Sequence, residues 1–291
     1  VAFGTSLPEL IVSVLANLQG NGAGDIAIGN IVGSNIANIG LILGITGLLA
    51  VIPVDSHLVR REIPILIVVS IIFVMMAWSG SISRLNGLIL TAGLITFTIY
   101  SYKSNHLSEE EVHEGEEALD VITSIDADIA QSSRNPLFDM MLVGAGMLGL
   151  MVGASWLVDS AQFLARAMGV SELIIGLTLV ALGTSLPELA TCIIAVARKE
   201  SDIAVGNIVG SNLFNMMFIG GLSSLIKPLP VPLHMRAVDF PVMLALTGLL
   251  FLLVIRRPHS INRIEAAILL AVYLGYIFWL FFVNGAAPAV G

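Results

Sequence analysis

Gly4-Thr-Ser-Leu-Pro-Glu-Leu10 and Gly183-Thr-Ser-Leu-Pro-Glu-Leu189 are one string, GTSLPEL, written twice in a chain of 291 residues. Each copy sets a carboxylate, Glu9 or Glu188, inside a run apolar enough to sit in lipid. Each is followed by a second shared string, GNIVGSN, at Gly29 to Asn35 and Gly206 to Asn212. Acids at membrane depth are costly and default to function. Two of them in equivalent places point to a cation.

Composition sets the surroundings of these strings. Hydrophobic residues make up 56% of the chain and charged residues 12%, against about 25% charged in a soluble domain. Mean hydropathy is +0.94. The apolar runs approach the ~20 residues a helix needs to cross the hydrocarbon, and they lack the alternation of barrel strands. The chain therefore reads as an all-α polytopic membrane protein. Net charge is -8, but 10 of the 21 acidic residues lie between Glu109 and Asp139, so the imbalance belongs to one segment. Nucleic acid is excluded as a partner on this pattern. The single cysteine, Cys192, rules out an internal disulfide and a cysteine metal site, and reads as a small packing residue. The start shows no charged region followed by a cleavage site, so no signal peptide is read there.

Apolar runs bounded by charge, Gly or Pro predict about nine segments: 1–19, 26–51, 61–79, 84–102, 139–168, 171–197, 203–227, 235–255 and 261–283. Three regions result: residues 1–103, a first half; residues 104–138, an acidic linker; and residues 139–291, a second half. The linker carries a block of like charge and reads as solvated. It lacks the spaced Asp pattern of a folded calcium loop.

The halves are repeats. Val1 to Leu10 matches Val180 to Leu189 except for Phe3 against Leu182, and Asp25 to Asn35 matches Asp202 to Asn212 except for Ile28 against Val205. The offset is 179 residues in the first stretch and 177 in the second. Internal repeats of this kind build many transporters. In the second half a whole predicted helix and the lead-in from Glu172 precede GTSLPEL, whereas Val1 to Phe3 alone precede the first copy. The expectation is a parent with five helices per half, whose first helix and part of the second lie before Val1. An odd count inverts one half relative to the other. With the linker in the cytoplasm, that side carries Arg60, Arg61, Lys103, Arg134, Arg198, Lys199, Arg256, Arg257 and Arg263. Arg84, Arg166, Lys227 and Arg236 fall on the other, as the positive-inside rule favours.

Pro8 and Pro187 stand directly before the glutamates. Each lacks an N–H and clashes with the carbonyl four back, at Gly4 or Gly183, so the helix is expected to kink or open. Thr5 with Glu9, and Thr184 with Glu188, are spaced to share a face, with Ser6 and Ser185 beside them. Ser34 with Asn38, and Ser211 with Asn215, form a second oxygen-bearing face. Gly29 with Gly33, and Gly206 with Gly210, have the spacing that lets helices approach closely. These donors are carboxylate, hydroxyl, amide and carbonyl oxygens, which select Na+, Ca2+ or Mg2+ over zinc or copper. Two glutamates give about -2, balanced by one Ca2+ or two Na+. Asp25 and Asp202 precede apolar helices and read as caps rather than ligands. Asp159 and Arg166 read as a pair within one helix. Asp239 and Glu265 show no counterpart in the first half and carry no assignment. Ser6 or Ser185 as a nucleophile has no base near in register, so no enzyme is read here.

The paired strings resemble the sodium/calcium exchangers of the cation/calcium antiporter superfamily, whose two signature repeats contain G-T-S-x-P-E and G-[ST]-N. Here these are Gly4 to Glu9 with Gly33-Ser-Asn35, and Gly183 to Glu188 with Gly210-Ser-Asn212. The resemblance implies ten helices in two inverted halves and a central site of Glu9, Glu188, Asn38 and Asn215. Thr5, Ser6, Ser34, Thr184, Ser185 and Ser211 would surround it, and the carbonyls of Ala2, Thr5, Ala181 and Thr184 would contribute. It implies exchange of Na+ for Ca2+ by alternating access, with the ions as cargo and no prosthetic group. Membrane lipid would surround the chain, in the plasma membrane of a prokaryote, with no obligate protein partner. The potassium-dependent branch tends to carry Asp where Asn215 stands, so the amide argues against K+ co-transport. Ca2+/H+ exchange through the same two glutamates is the alternative.

Overall fold

A computed structural model describes residues 2–19, 23–112, 171–198 and 202–284, with scattered positions between 141 and 169. The predicted helix 139–168, with Asp159 and Arg166, and most of the acidic linker lie outside the described residues.

The fold is helical. Among the described residues four helices are long and apolar enough to span a membrane: Gly24–Leu49, Ile203–Ile226, Leu233–Val254 and Arg263–Phe282. Leu173–Thr184 and Leu186–Ala197 make a fifth if their 41° bend is counted as one broken span. Leu7–Leu18 and Arg84–Ile99 are apolar but shorter. The helix from Arg84 continues to Val112, past the expected end near 102. Its last turns hold Lys103 and Glu109 to Glu111, good helix formers although unsuited to lipid.

Burial decides which helices form the centre. The helix carrying the first GNIVGSN, Gly24–Leu49, has 94% of its apolar window buried, and its repeat partner Ile203–Ile226 has 78%. Leu233–Val254 and Arg263–Phe282 fall to 44% and 28%, as expected of helices with lipid-facing sides. Gly29 and Gly33 bring the central helix onto the lead-in to the second GTSLPEL. A Cβ at Gly29 would lie 3.0 Å from Leu177 N, and one at Gly33 2.5 Å from Leu177 O. The expected close approach therefore exists in the first half. In the second, a Cβ on Gly206 would meet nothing nearer than Leu58 Cδ1 at 3.7 Å, so Gly206 packs against a side chain rather than a backbone.

Equivalent sequence gives equivalent breaks. Asn38–Ile42 and Asn215–Ile219 are both π-helical turns, a feature that often marks functional sites. Both helices end by switching to extended backbone, at Ala50 and at Lys227. Short strands follow: β1, Ile52–Pro53; β2, Ser81–Ile82; β3, Leu229–Pro230; β4, Ser260–Ile261. β1 pairs antiparallel with β4 and β2 with β3, each across the halves. Ile52 faces Ile261 and Pro53 faces Ser260; correspondingly Leu229 faces Ile82 and Pro230 faces Ser81. Applying the sequence offsets converts one pairing into the other. The flanking bonds obey the same exchange, Val54 N–H to His259 O and Val231 N–H to Gly80 O, both 2.9 Å.

The helix Ile63–Ala77 separates the two strand pairs, so they mark opposite ends of the molecule. Arg60, Arg61, Arg256, Arg257 and Arg263 flank β1 and β4. At the other end Arg84 donates to Ile226 O (3.3 Å) and Arg236 to Trp78 O (2.9 Å).

The structure also supplies a counterpart for Asp239. His234 Nδ1 lies 3.4 Å from Asp239 Oδ2, and His57 Nδ1 lies 3.8 Å from Glu62 Oε1. These pairs sit 177 residues apart, each two residues before a proline, Pro64 or Pro241. The match is masked in sequence because the acid changes type. Asp239 is buried and also accepts from Tyr276 Oη at 2.8 Å. Glu265 completes a capping box with Asn262 and pairs with Arg256, so its role is to start the last helix.

Candidate ion-binding site

The site grows from the two helix breaks. In the second half the helix Ala181–Thr184 stops at Ser185, whose backbone (φ -87°, ψ 8°) leaves the helical region, and Leu186–Ala197 begins with Pro187 in its first turn. In the first half Ala2–Thr5 and Leu7–Gln19 flank Ser6 in the same way. A proline near a helix start is tolerated because its missing N–H is unneeded there. The break places Glu9 and Glu188 in first turns, at the positive end of a helix dipole. Asp25 and Asp202 likewise fall in the first turns of Ala23–Ala37 and Asp202–Phe214, matching their reading as helix-start residues.

Each carboxylate is served by the opposite half. Ser6 Oγ donates to Glu188 Oε1 at 2.9 Å, and Ser185 Oγ donates to Glu9 Oε1 at 3.1 Å. Ser211 Oγ adds a 3.3 Å bond to Glu188 Oε1. Thr5 neighbours Glu188 and Thr184 neighbours Glu9. The sequence spacing suggested that Thr5 and Glu9 share one helical face; the Ser6 and Ser185 bonds to the carboxylates cross between the halves, and the Ser211 bond stays within the second. The two glutamates are fully buried and near enough to repel one another.

Among the buried oxygens left without a donor are five from the expected site residues: Glu9 Oε2, Glu188 Oε2, Ser34 Oγ, Asn38 Oδ1 and Asn215 Oδ1. Buried polar atoms are normally satisfied, and an uncompensated buried carboxylate is strongly unfavourable. Bare carboxylate, hydroxyl and amide oxygens from both halves are the donor set that hard cations take. Ala181 O accepts from Ser185 N–H at 3.1 Å, so one of its lone pairs already has a partner. Ala2 lies in the opening turn, beside the helix Asp202–Phe214. Among the described residues no three His, Cys, Asp or Glu side chains gather into a metal cluster. Two acids with neutral oxygens are a different kind of centre.

Several residues that frame the site were missed in the sequence. Asn30 donates to Ser13 Oγ (2.9 Å) and to the Glu9 carbonyl (3.3 Å), and accepts from Thr184 Oγ1 (3.0 Å). Asn212 accepts from Asn38 Nδ2 at 2.9 Å and donates to Asn35 O at 3.3 Å. All four asparagines of the two GNIVGSN strings are buried. The signal was present in the repetition of Asn30 as Asn207 and of Asn35 as Asn212. Ser13 had no such signal, since its counterpart is Cys192.

Comparison with known proteins agrees with this geometry. The sodium/calcium exchanger protein family matches residues 1–103 and 138–282. Sodium/calcium exchanger MaX1 of Methanosarcina acetivorans is 30% identical over 312 residues, covering 97% of this chain and 87% of its own. Inner membrane protein YrbG of Escherichia coli is 36% identical over 283 residues, covering 96% of this chain and 85% of its own. Among solved structures, the sodium-calcium exchanger NCX_Mj soaked with 2.5 mM Na+ and 0.1 mM Ca2+ superposes with a TM-score of 0.71 at 30% identity, over 95% of this chain and 83% of its own. This chain belongs to the sodium/calcium exchanger protein family.

Proposed function

We propose that the chain is a secondary antiporter that exchanges Na+ for Ca2+ across a membrane by alternating access around one site near the midplane. The observation that carries this reading is the set of bare, buried oxygens contributed by both halves: Glu9, Glu188, Ser34, Asn38 and Asn215. Ser6, Ser185 and Ser211 hold the other carboxylate oxygens in place, while Thr5 and Thr184 complete the wall. The carbonyl of Ala181 joins as a ligand once its amide partner turns away, and that of Ala2 joins as its repeat counterpart. Two carboxylates balance one Ca2+ or two Na+, so the ions compete for one negative site. A third Na+ would make the exchange electrogenic.

The halves act as inverted repeats of five helices each, a reading supported by the reciprocal strand pairs and the reciprocal serine–glutamate bonds. The linker, residues 104–138, lies in the cytoplasm with the Arg-rich end of β1 and β4, in the plasma membrane of a prokaryote. With the neutral Asn215 in the site, exchange needs no K+.

The test is Ca2+ uptake by vesicles containing the purified protein under an outward Na+ gradient. Uptake that rises with the gradient supports the proposal. Uptake that ignores Na+ and follows a pH gradient assigns Ca2+/H+ exchange instead.

A further inference from the structure

The two halves are built alike but are not hydrogen-bonded alike. Asn38 Nδ2 donates to Asn212 Oδ1 at 2.9 Å, joining the halves beside the glutamates. The repeat offset turns this contact into Asn215 Nδ2 donating to Asn35 Oδ1. Those two atoms are both buried and both without a partner. All four side chains are at most 1% exposed. Asn35 instead turns its Nδ2 to Ile31 O of its own helix, at 2.7 Å.

A second contact shows the same imbalance in the same sense. Asn30 has every polar atom employed, including the cross-half bond from Thr184. Its counterpart Asn207 has no oxygen or nitrogen partner, only the neighbouring Cys192 thiol. Asn30 of the first GNIVGSN string thus reaches the other half through Thr184, and Asn207 of the second makes no corresponding bond.

We propose that Asn212 and Asn35 are positioning residues that hold the amides of Asn38 and Asn215 in alternation, one latch closed for each direction of access. The proposal rests on the exchanger reading given above. Closing a latch uses the N–H of the ligand amide and leaves its oxygen to the cation. Opening one latch while closing its repeat partner leaves the number of hydrogen bonds unchanged, which keeps the two end states close in free energy. That near balance is what an exchanger working between two states requires.

The test uses the whole chain, reconstituted in one orientation, with the half-saturating Ca2+ concentration measured separately at each face. Neither Asn212→Ala nor Asn35→Ala removes a proposed ligand, so both variants should still exchange. Each should change the ratio between the two faces by about tenfold, a typical coupling between sites and states, and the two should do so in opposite directions. Equal changes at both faces, or changes of the same direction in both variants, overturn the proposal and indicate mere structural support.

A transport-independent measurement separates this from the exchanger reading. In a Cys192→Ser background, oxidation in membranes should bridge Asn38→Cys with Asn212→Cys, and also Asn35→Cys with Asn215→Cys. Failure of the second pair to bridge overturns the alternation. Bridging of both pairs, with no Na+-dependent Ca2+ flux in the unsubstituted chain, sinks the exchanger reading and leaves the latches.

Discussion

Glu9 and Glu188 each keep one oxygen bonded to a serine of the other half and one oxygen bare. Neutralising either leaves shape nearly unchanged and removes half of the site's charge. Glu9→Gln and Glu188→Gln should each lower Ca2+ flux in vesicles by about 100-fold or more, the scale of losing one partner of a buried charge contact, at normal expression. Wild-type flux in either variant would break the paired-carboxylate account. Asn215 carries a separate expectation: withdrawing K+ should leave Na+-dependent Ca2+ flux unchanged. The proposed ligand side chains stood out in the sequence because the repeat wrote each of them twice. The Thr184–Asn30 bond was not, since it joins residues 154 apart and no local pattern predicts which hydroxyl meets which amide.

At the scale of elements, the same glycine spacing does different work in the two halves. Gly29→Ala would put a Cβ 3.0 Å from the backbone nitrogen of Leu177, whereas Gly206→Ala would put one 3.7 Å from a Leu58 methyl. The first should lower the melting temperature of the purified protein, by overpacking worth about 1–3 kcal/mol. The second should be neutral or slightly stabilising, since Ala favours helix over Gly. Equal effects would show that the packing seen at Gly29 is not what holds the central helix. Tyr276→Phe removes the only hydroxyl bonded to Asp239 Oδ1 among the described residues. It should destabilise by about 1–3 kcal/mol, read from the same melting curves. Helix positions and the proline breaks followed from apolar runs and Pro8 and Pro187. The π turns at Asn38 and Asn215 and the two-residue strands were beyond reach, because neither has a periodicity of its own. The His57–Glu62 and His234–Asp239 pairs were hidden by an acid that changes from Glu to Asp.

For the whole molecule, the repeat supplied the plan and tertiary contacts supplied the departures from it. Two halves exchange strands, serines and glutamates reciprocally, yet the asparagine bonds close on one side alone. That combination fits a single site shared by both halves, with competing ions as its cargo. Calorimetric titration of Ca2+ into the purified whole chain, with and without Na+ and beside Glu188→Gln, measures this most directly. The account predicts saturable Ca2+ binding that weakens as Na+ rises and is lost in the variant. Binding that is indifferent to Na+, or that survives in Glu188→Gln unchanged, would contradict it.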